Sequence, residues 1–363
     1  MPRPAHARNS VDRCPPFYWS SCDDDGAILM PNFFVVIACW LYVALVAAIA
    51  VTTAMGPERW WLAGVNMFLP QLLWAGPGLA LVPLALWRAR RWAWLPAAAT
   101  LWVAGPLMGF CWNTTRAAPA GTSLRVMTYN VQLWQRANVP AIISEIRDAA
   151  PDILCLQDAR GASRGQVSAF LKGWHVASAG QYVIASKFPF VDSTVGDISY
   201  RGEAHSYLRA QVDLGGKVVT VVNAHFVTPR DALTVLRTDR FGSTAVQIIR
   251  RNLSDRITQA RALAEDVRHV AGPVIVAGDL NAPPPGLASR ALTDDGLVDT
   301  FARSGRGYGY TFGHTLLVRQ SFLRIDRILA SDHFFLVRTT VGGADGADHR
   351  PVIADMVLPE TSR

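Results

Sequence analysis

Val274-Ile275-Val276-Ala277-Gly278-Asp279-Leu280-Asn281 decides the fold. Its first four residues, three of them β-branched, read as a short strand buried on both faces. Gly278 stops the run, and Asp279 and Asn281 place a carboxylate and an amide at the strand end. Such residues commonly serve turns, so the stretch gains meaning from its repetition along the chain. Comparable β-rich runs occupy residues 124–129, 153–157, 182–185, 208–212, 218–223, 324–329 and 351–357. Helical spacing fits residues 139–149, with Ile142, Ile143 and Ile146 on one face, and residues 254–270, with Ser254 as N-cap. Strands alternating with helices predict an α/β domain. Cys155, inside an apolar run, reads as a small buried hydrophobe.

Polar residues recur at these run ends: Asn130, Asp158, Asn223-Ala224-His225, Asp326 within 324–329, and Asp348-His349 before the last run. Taken singly, each fits turn chemistry or a structural histidine. Taken together, hard oxygen donors and imidazoles are what a divalent cation and proton transfer at a phosphorus centre require.

The ordered set LRVMTYNV (124–131), PDILCLQD (151–158), SKFP (186–189), NAHF (223–226), GDLN (278–281), RID (324–326) and DHRP (348–351) resembles the endonuclease/exonuclease/phosphatase superfamily, whose fold is DNase I-like. The resemblance covers residues 124–358. It implies an α/β fold of two packed mixed β-sheets flanked by helices, a four-layer sandwich with the site at one end. It also implies hydrolysis of phosphate esters with Mg²⁺ or Mn²⁺. By the same resemblance, Asn130, Asp158 and Asp348 are metal-side residues, and Asp279 and Asn281 orient the attacking water and hold a phosphate oxygen. His349 matches the catalytic histidine and Asp326 the carboxylate that fixes its tautomer. His225 matches a phosphate ligand or the general acid. One position departs: the family usually has Gln-Glu where this chain has Gln157-Asp158. Aspartate is one methylene shorter, so it would bind a metal directly with an adjusted backbone, or through water. That departure raises the alternative of a non-catalytic membrane binding module retaining the fold.

Composition places this domain beside a membrane. Half the residues are hydrophobic and 17% are charged, against about 25% in soluble domains, which excludes disorder and a single soluble domain. Five cysteines are too few for a disulfide scaffold. Residues 33–55, 60–87 and 92–112 are uncharged, and each is long enough for the roughly 20 residues of a membrane span. They predict three transmembrane helices over 33–112, after a tail at 1–32, with the middle run, interrupted by Pro70, Pro77 and Pro83, re-entrant as the alternative. No acidic or basic residue lies within these runs, which argues against ion transport. Arg88, Arg90 and Arg91 crowd the second loop, and Arg3, Arg8 and Arg13 the tail. Basic loops stay cytoplasmic, so the expectation is a multi-pass protein of the cell membrane with its catalytic domain outside, joined by a linker at 113–123.

Residues 227–253 carry Arg230, Arg237, Arg240, Arg250 and Arg251 against Asp231 and Asp239. That excess fits a nucleic-acid backbone, anionic headgroups or a solvated face. The expected partners are therefore the lipid bilayer and a phosphodiester, either nucleic acid or phospholipid headgroup.

Overall fold

The computed structural model describes residues 24–115, 117–132, 138–161, 165–238, 242–316 and 319–360; the arginines of the tail and Arg240 lie outside them. Two six-stranded mixed sheets form the centre. In the first, β2 (Gly121–Asn130) pairs in parallel with β3 (Ile153–Gln157). Around that pair stand β4 (His175–Ala179), β5 (Tyr182–Ser186), β13 (Phe335–Val341) and β14 (Val352–Pro359), all antiparallel to their neighbours. The second sheet repeats the plan. There β8 (Val218–His225) and β9 (Val274–Asp279) are the parallel pair. They are flanked by β6 (Phe190–Asp197), β7 (Ser206–Asp213), β10 (Val298–Asp299) and β12 (Asp326–Ala330). A two-stranded ribbon joins β1 (Cys111–Trp112) to β11 (Arg306–Gly307).

Side-chain alternation builds four layers from these strands. Val126, Cys155, Ile184, Val221, Ile275 and Ile328 fill the space between the sheets. Met127, Leu154 and Leu156 face outward against α5 (Val139–Ala149) and α6 (Gly165–Phe170). Val222, Val274 and Val276 face α8 (Ser243–Arg268) and α9 (Leu287–Thr293). Because both faces of each sheet are covered, the central strands are apolar throughout, as residues 274–277 anticipate. Helix α8 begins at Ser243 after Gly242, so Ser254 lies inside it and is not its N-cap. Two short helices, α7 (Arg230–Thr238) and α10 (Thr300–Ser304), complete the domain.

The N-terminal region corrects the expectation of three transmembrane helices. Among the described residues one helix, α1 (Asp24–Met55), contains a stretch, Asn32–Met55, long and apolar enough to cross a bilayer. The middle run breaks into α2 (Trp61–Asn66), a 3₁₀ turn at Gln71–Ala75 and α3 (Gly76–Arg88). The third forms α4 (Trp94–Trp102), continued by a π turn at Val103–Leu107. Thirteen residues of α3 rise only about 20 Å, short of a ~30 Å hydrocarbon core. The physical reason for the break is twofold. Pro70 and the Gly76-Pro77-Gly78 sequence interrupt backbone pairing. Trp61, Val65, Met67 and Phe68 pack instead on Ile249 and Leu253 of α8.

Helices α1, α3 and α4 nonetheless pack on one another, and their contacts give their directions. Val35 and Cys39 meet Ala85, Ala93 and Leu95, whereas Val46 meets Ala75 and Val103. Helix α3 therefore runs antiparallel to α1, and α4 parallel to it. The Arg88–Arg91 loop falls at the end remote from the β-sandwich domain. At the near end, Glu58 accepts from the backbone N–H groups of Leu287 (2.8 Å) and Ala288 (3.2 Å), while Arg290 donates to the carbonyls of Thr53 and Ala54. Tyr308 and Tyr310 donate to the carbonyls of Ala104 and Met108, both at 2.9 Å.

Asp299 holds the neighbouring corner. It caps α10 through the N–H groups of Phe301 and Ala302 and pairs with buried Arg324 and Arg327. Burial alone would raise its carboxyl, but the two guanidiniums outweigh that and hold it below the usual range. Replacing it by alanine strands two buried cations, so Asp299→Ala is expected to lose about 3–5 kcal/mol of stability, read from urea unfolding. A folded-state pKa below the unfolded one stabilises above the usual ~3.9 and fades as pH falls through the folded value. The gap between wild type and variant should therefore close in strong acid.

Candidate active site

All the strand-end residues meet at one end of the sandwich, and topology explains why. Parallel neighbours end on the same side, so Asn130 and Gln157 emerge together from β2 and β3. His225 and Asp279 emerge together from β8 and β9. Antiparallel β12 starts where β9 stops, pairing Asp326 with Asp279. His349 lies three residues before Val352, where antiparallel β14 begins. Gly278 permits the close approach of β9 to β8, since a Cβ there would lie 1.8 Å from the Ala224 carbonyl oxygen. Gln132, Asp158 and Asn281 turn away from their strands in left-handed conformations, with φ of 49°, 50° and 46°, uncommon for side-chain-bearing residues.

Asp279 is the meeting point. Only 1% exposed, its Oδ2 accepts from Asn130 Nδ2 at 3.0 Å and its Oδ1 from the Asn281 N–H at 3.0 Å. Two imidazole Nε2 atoms face the same Oδ2, His225 at 3.4 Å and His349 at 3.7 Å. Asn281 Nδ2 donates to the Phe226 carbonyl, which fixes the amide. His349 Nδ1 lies 2.8 Å from Asp326 Oδ2, while its ring packs against Phe312, centroids 4.8 Å apart. Burial disfavours the imidazolium, but Asp326 and Asp279 outweigh it and lift His349 to about 10. His225 Nδ1 meets Gln181 Oε1 at 3.1 Å and Asp158 Oδ1 at 3.8 Å.

The structure thus brings every expected site residue, Asp326 excepted, onto the wall of one cavity of about 770 Å³; Asp326 stands behind His349. It adds residues that run patterns alone do not reveal: Gln181, and His205, whose Nε2 lies 2.6 Å from the His225 carbonyl. Of the basic stretch, Arg230 reaches this cavity, its Nη2 3.9 Å from Asp348 Oδ2, whereas Arg250 and Arg251 are exposed on α8.

The residues fit a divalent metal. Asp348 Oδ1 is buried and lacks a hydrogen-bond partner among the described residues, a costly state that a cation would relieve. Asn130, Asp158 and Asp348 offer oxygen donors, the chemistry of a hard ion. The acid and imidazole atoms that converge within 4.8 Å belong to a different set, Asp279, Asp326 and His349. In that set Asp326 Oδ2 and His349 Nδ1 are already occupied by each other.

Fold and site together define a metal-dependent hydrolase of phosphate esters. The family model described as Endonuclease/Exonuclease/phosphatase family matches residues 127–349, and the chain belongs to that family. Two solved structures agree on the fold, and a third is similar over a comparable length. A family protein from Bacteroides vulgatus is 18% identical, covering 65% of this chain and 99% of that one, with a TM-score of 0.51. One from Bacteroides thetaiotaomicron is 17% identical over 66% and 99%, also with a TM-score of 0.51. An AP endonuclease from Archaeoglobus fulgidus is 21% identical over 64% and 98%, with a TM-score of 0.48. No curated protein sequence matches the chain.

The raised pKa of His349 has a direct readout. In metal-free protein its imidazole should stay cationic through pH 8 by NMR, and Asp326→Asn should bring its titration down by more than one pH unit. Because the folded value exceeds the usual ~6.5, the associated stability is complete below that pH and fades as pH rises through about 10. A ring neutral at pH 7.5 would contradict this electrostatic reading.

Proposed function

We propose that the protein is a membrane-anchored, Mg²⁺- or Mn²⁺-dependent phosphodiesterase acting outside the cytoplasm on nucleic acid or a phospholipid headgroup. The observation that carries the reading is Asp279 Oδ2 with two imidazole Nε2 atoms within 3.7 Å, beside the oxygen-donor set. Asn130, Asp158 and Asp348 would hold the ion, which when bound withdraws charge from the non-bridging phosphate oxygens. Asp279 accepts a proton from the attacking water, and Asn281, its amide held by the Phe226 carbonyl, orients that water. The water oxygen forms a bond to phosphorus as the ester P–O bond breaks. His349, kept cationic by Asp326, donates to a phosphate oxygen and stabilises the charge developing there. His225 supplies the proton that the leaving oxygen takes up.

Membrane anchoring rests on α1 and on what the apolar helices leave uncovered. Phe33, Phe34 and Leu41 on α1, Leu79 and Trp87 on α3, and Leu101 on α4 are each more than 60% exposed. So large an exposed apolar surface is what a bilayer covers. The Arg88–Arg91 loop, at the end remote from the domain, supports a cytoplasmic location for that end and an outward one for the domain.

Asp279→Ala and His349→Ala should each slow metal-dependent turnover of bis-p-nitrophenyl phosphate by roughly 10²-fold or more. Near-wild-type rates in either would remove the role assignments. A C-terminal reporter that matures only after export should be active, and its cytoplasm-only counterpart dark. The opposite pattern would overturn the orientation.

A further inference from the structure

The cavity has two unlike walls. One carries the catalytic residues. The other is apolar, formed by Leu233, Phe312, Leu316, Phe322 and Leu323 of the catalytic domain together with Phe68. Phe68 belongs to the segment between α1 and α3, and it is built in rather than loosely apposed. It is 5% exposed, packs with Ile249, Leu253 and Leu323, and lies under the buried guanidinium of Arg256, 5.0 Å from its ring centroid. Arg256 in turn donates to the carbonyl of Val227, another cavity-lining residue.

The same segment turns apolar side chains outward. Leu62, Leu69, Leu72 and Leu73 are 61%, 40%, 56% and 62% exposed. One short stretch beside the spanning helix therefore lines the active-site cavity on one face and presents leucines to the surroundings on the other. Charge argues in the same direction. Among the described residues lining the cavity, Arg230 is the permanent cation, and its side chain is 65% exposed. A polynucleotide needs several phosphate contacts along its backbone. This cavity has provision for one phosphate and for a hydrocarbon body beside it.

We propose that the substrate is an amphiphilic phosphate ester whose hydrocarbon part lies against this wall, built jointly by the anchor segment and the catalytic domain. This inference rests on the phosphodiesterase reading and narrows it to a lipid-borne phosphate. Phe68 and Leu316 are then specificity-determining residues, the first from the anchor and the second at the cavity rim, 45% exposed.

The test uses full-length protein in nanodiscs with Mg²⁺ or Mn²⁺. Its substrates are methyl, butyl and octyl p-nitrophenyl phosphodiesters, each below its micelle-forming concentration, and a single-stranded oligonucleotide. Each fully buried methylene favours an apolar contact about fourfold, so kcat/KM should rise at least ~10-fold from methyl to octyl even with partial burial. Phe68→Ala should lower the octyl-to-methyl ratio several-fold. Leu316→Ser, at an exposed position that leaves the core intact, should do the same. Equal rates for all esters would overturn the lipid inference and leave the phosphodiesterase reading standing. A chain-length effect unchanged in both variants would assign it to bilayer partitioning and likewise overturn the wall. Faster cleavage of the oligonucleotide than of the octyl ester would assign the cavity to nucleic acid. No turnover of any probe would remove the phosphodiesterase reading itself.

Discussion

A carboxylate sealed from water must be compensated, and the arrangement around Asp279 follows from that constraint. An unpaired charge in a protein interior is so costly that the group would take up a proton instead. Here the compensation comes from both sheets. Asn130 donates from the end of β2, the Asn281 N–H from the turn after β9, and His225 and His349 approach from the end of β8 and the loop before β14. The ends of β2, β8 and β9 must each fall at one particular residue for this to work, so the carboxylate and the register of three strands depend on one another. Gln157 and Asn223 fasten the sheets just beneath. Gln157 Nε2 donates to Asn223 Oδ1 at 2.7 Å, and Asn223 Nδ2 donates to the carbonyls of Leu156 and Val183. The sandwich is held together at the end where it must be geometrically exact to function.

That dependence explains what could be read from the chain. Residues 274–281 show a buried strand ending in Asp279 and Asn281 because strand period and turn chemistry are local properties. The ordered motifs supplied the rest of the candidate set, and the cavity gathers all of it but Asp326. Edge strands were less legible. β4, β6 and β13 are half-exposed, so their residues lack the continuous apolar run that marked the central strands. Gln181 and His205 escaped notice because polar residues in loops acquire meaning only from a distant partner, here His225. Ser254 looked like a helix start because serine favours caps. Ala245 and Ile249, one and two turns upstream, are buried on the same helix and extend its packed face to Ser243.

Hydropathy failed at residues 60–87 for a reason of its own. A transfer scale registers that a side chain avoids water, not whether lipid or protein replaces it. Phe33 and Leu41 are left exposed, yet Val65 and Phe68, equally apolar, are packed with α8. The Arg88–Arg91 loop lies at the end of the helical region remote from the domain, because α3 runs antiparallel to α1.

The two halves are therefore not a catalyst on a tether. Glu58 caps α9 while Arg290 caps the end of α1, an exchange in which each half satisfies backbone groups the other leaves open. Arg256 makes the coupling tighter still. It is 1% exposed, its Nη2 has no hydrogen-bond partner among the described residues, and burial lowers its pKa. It is compensated by the face of Phe68, the bonds to Val227 and Asn252, and the nearby charges of Glu58 and Asp255. A buried cation leaning on an aromatic ring is strengthened by exclusion of water, so any movement of the α2 segment away from α8 would expose Arg256 and shift the loop that begins at Val227. Since that loop also lines the cavity, the position of the N-terminal helical region and the shape of the cavity are set by the same contacts.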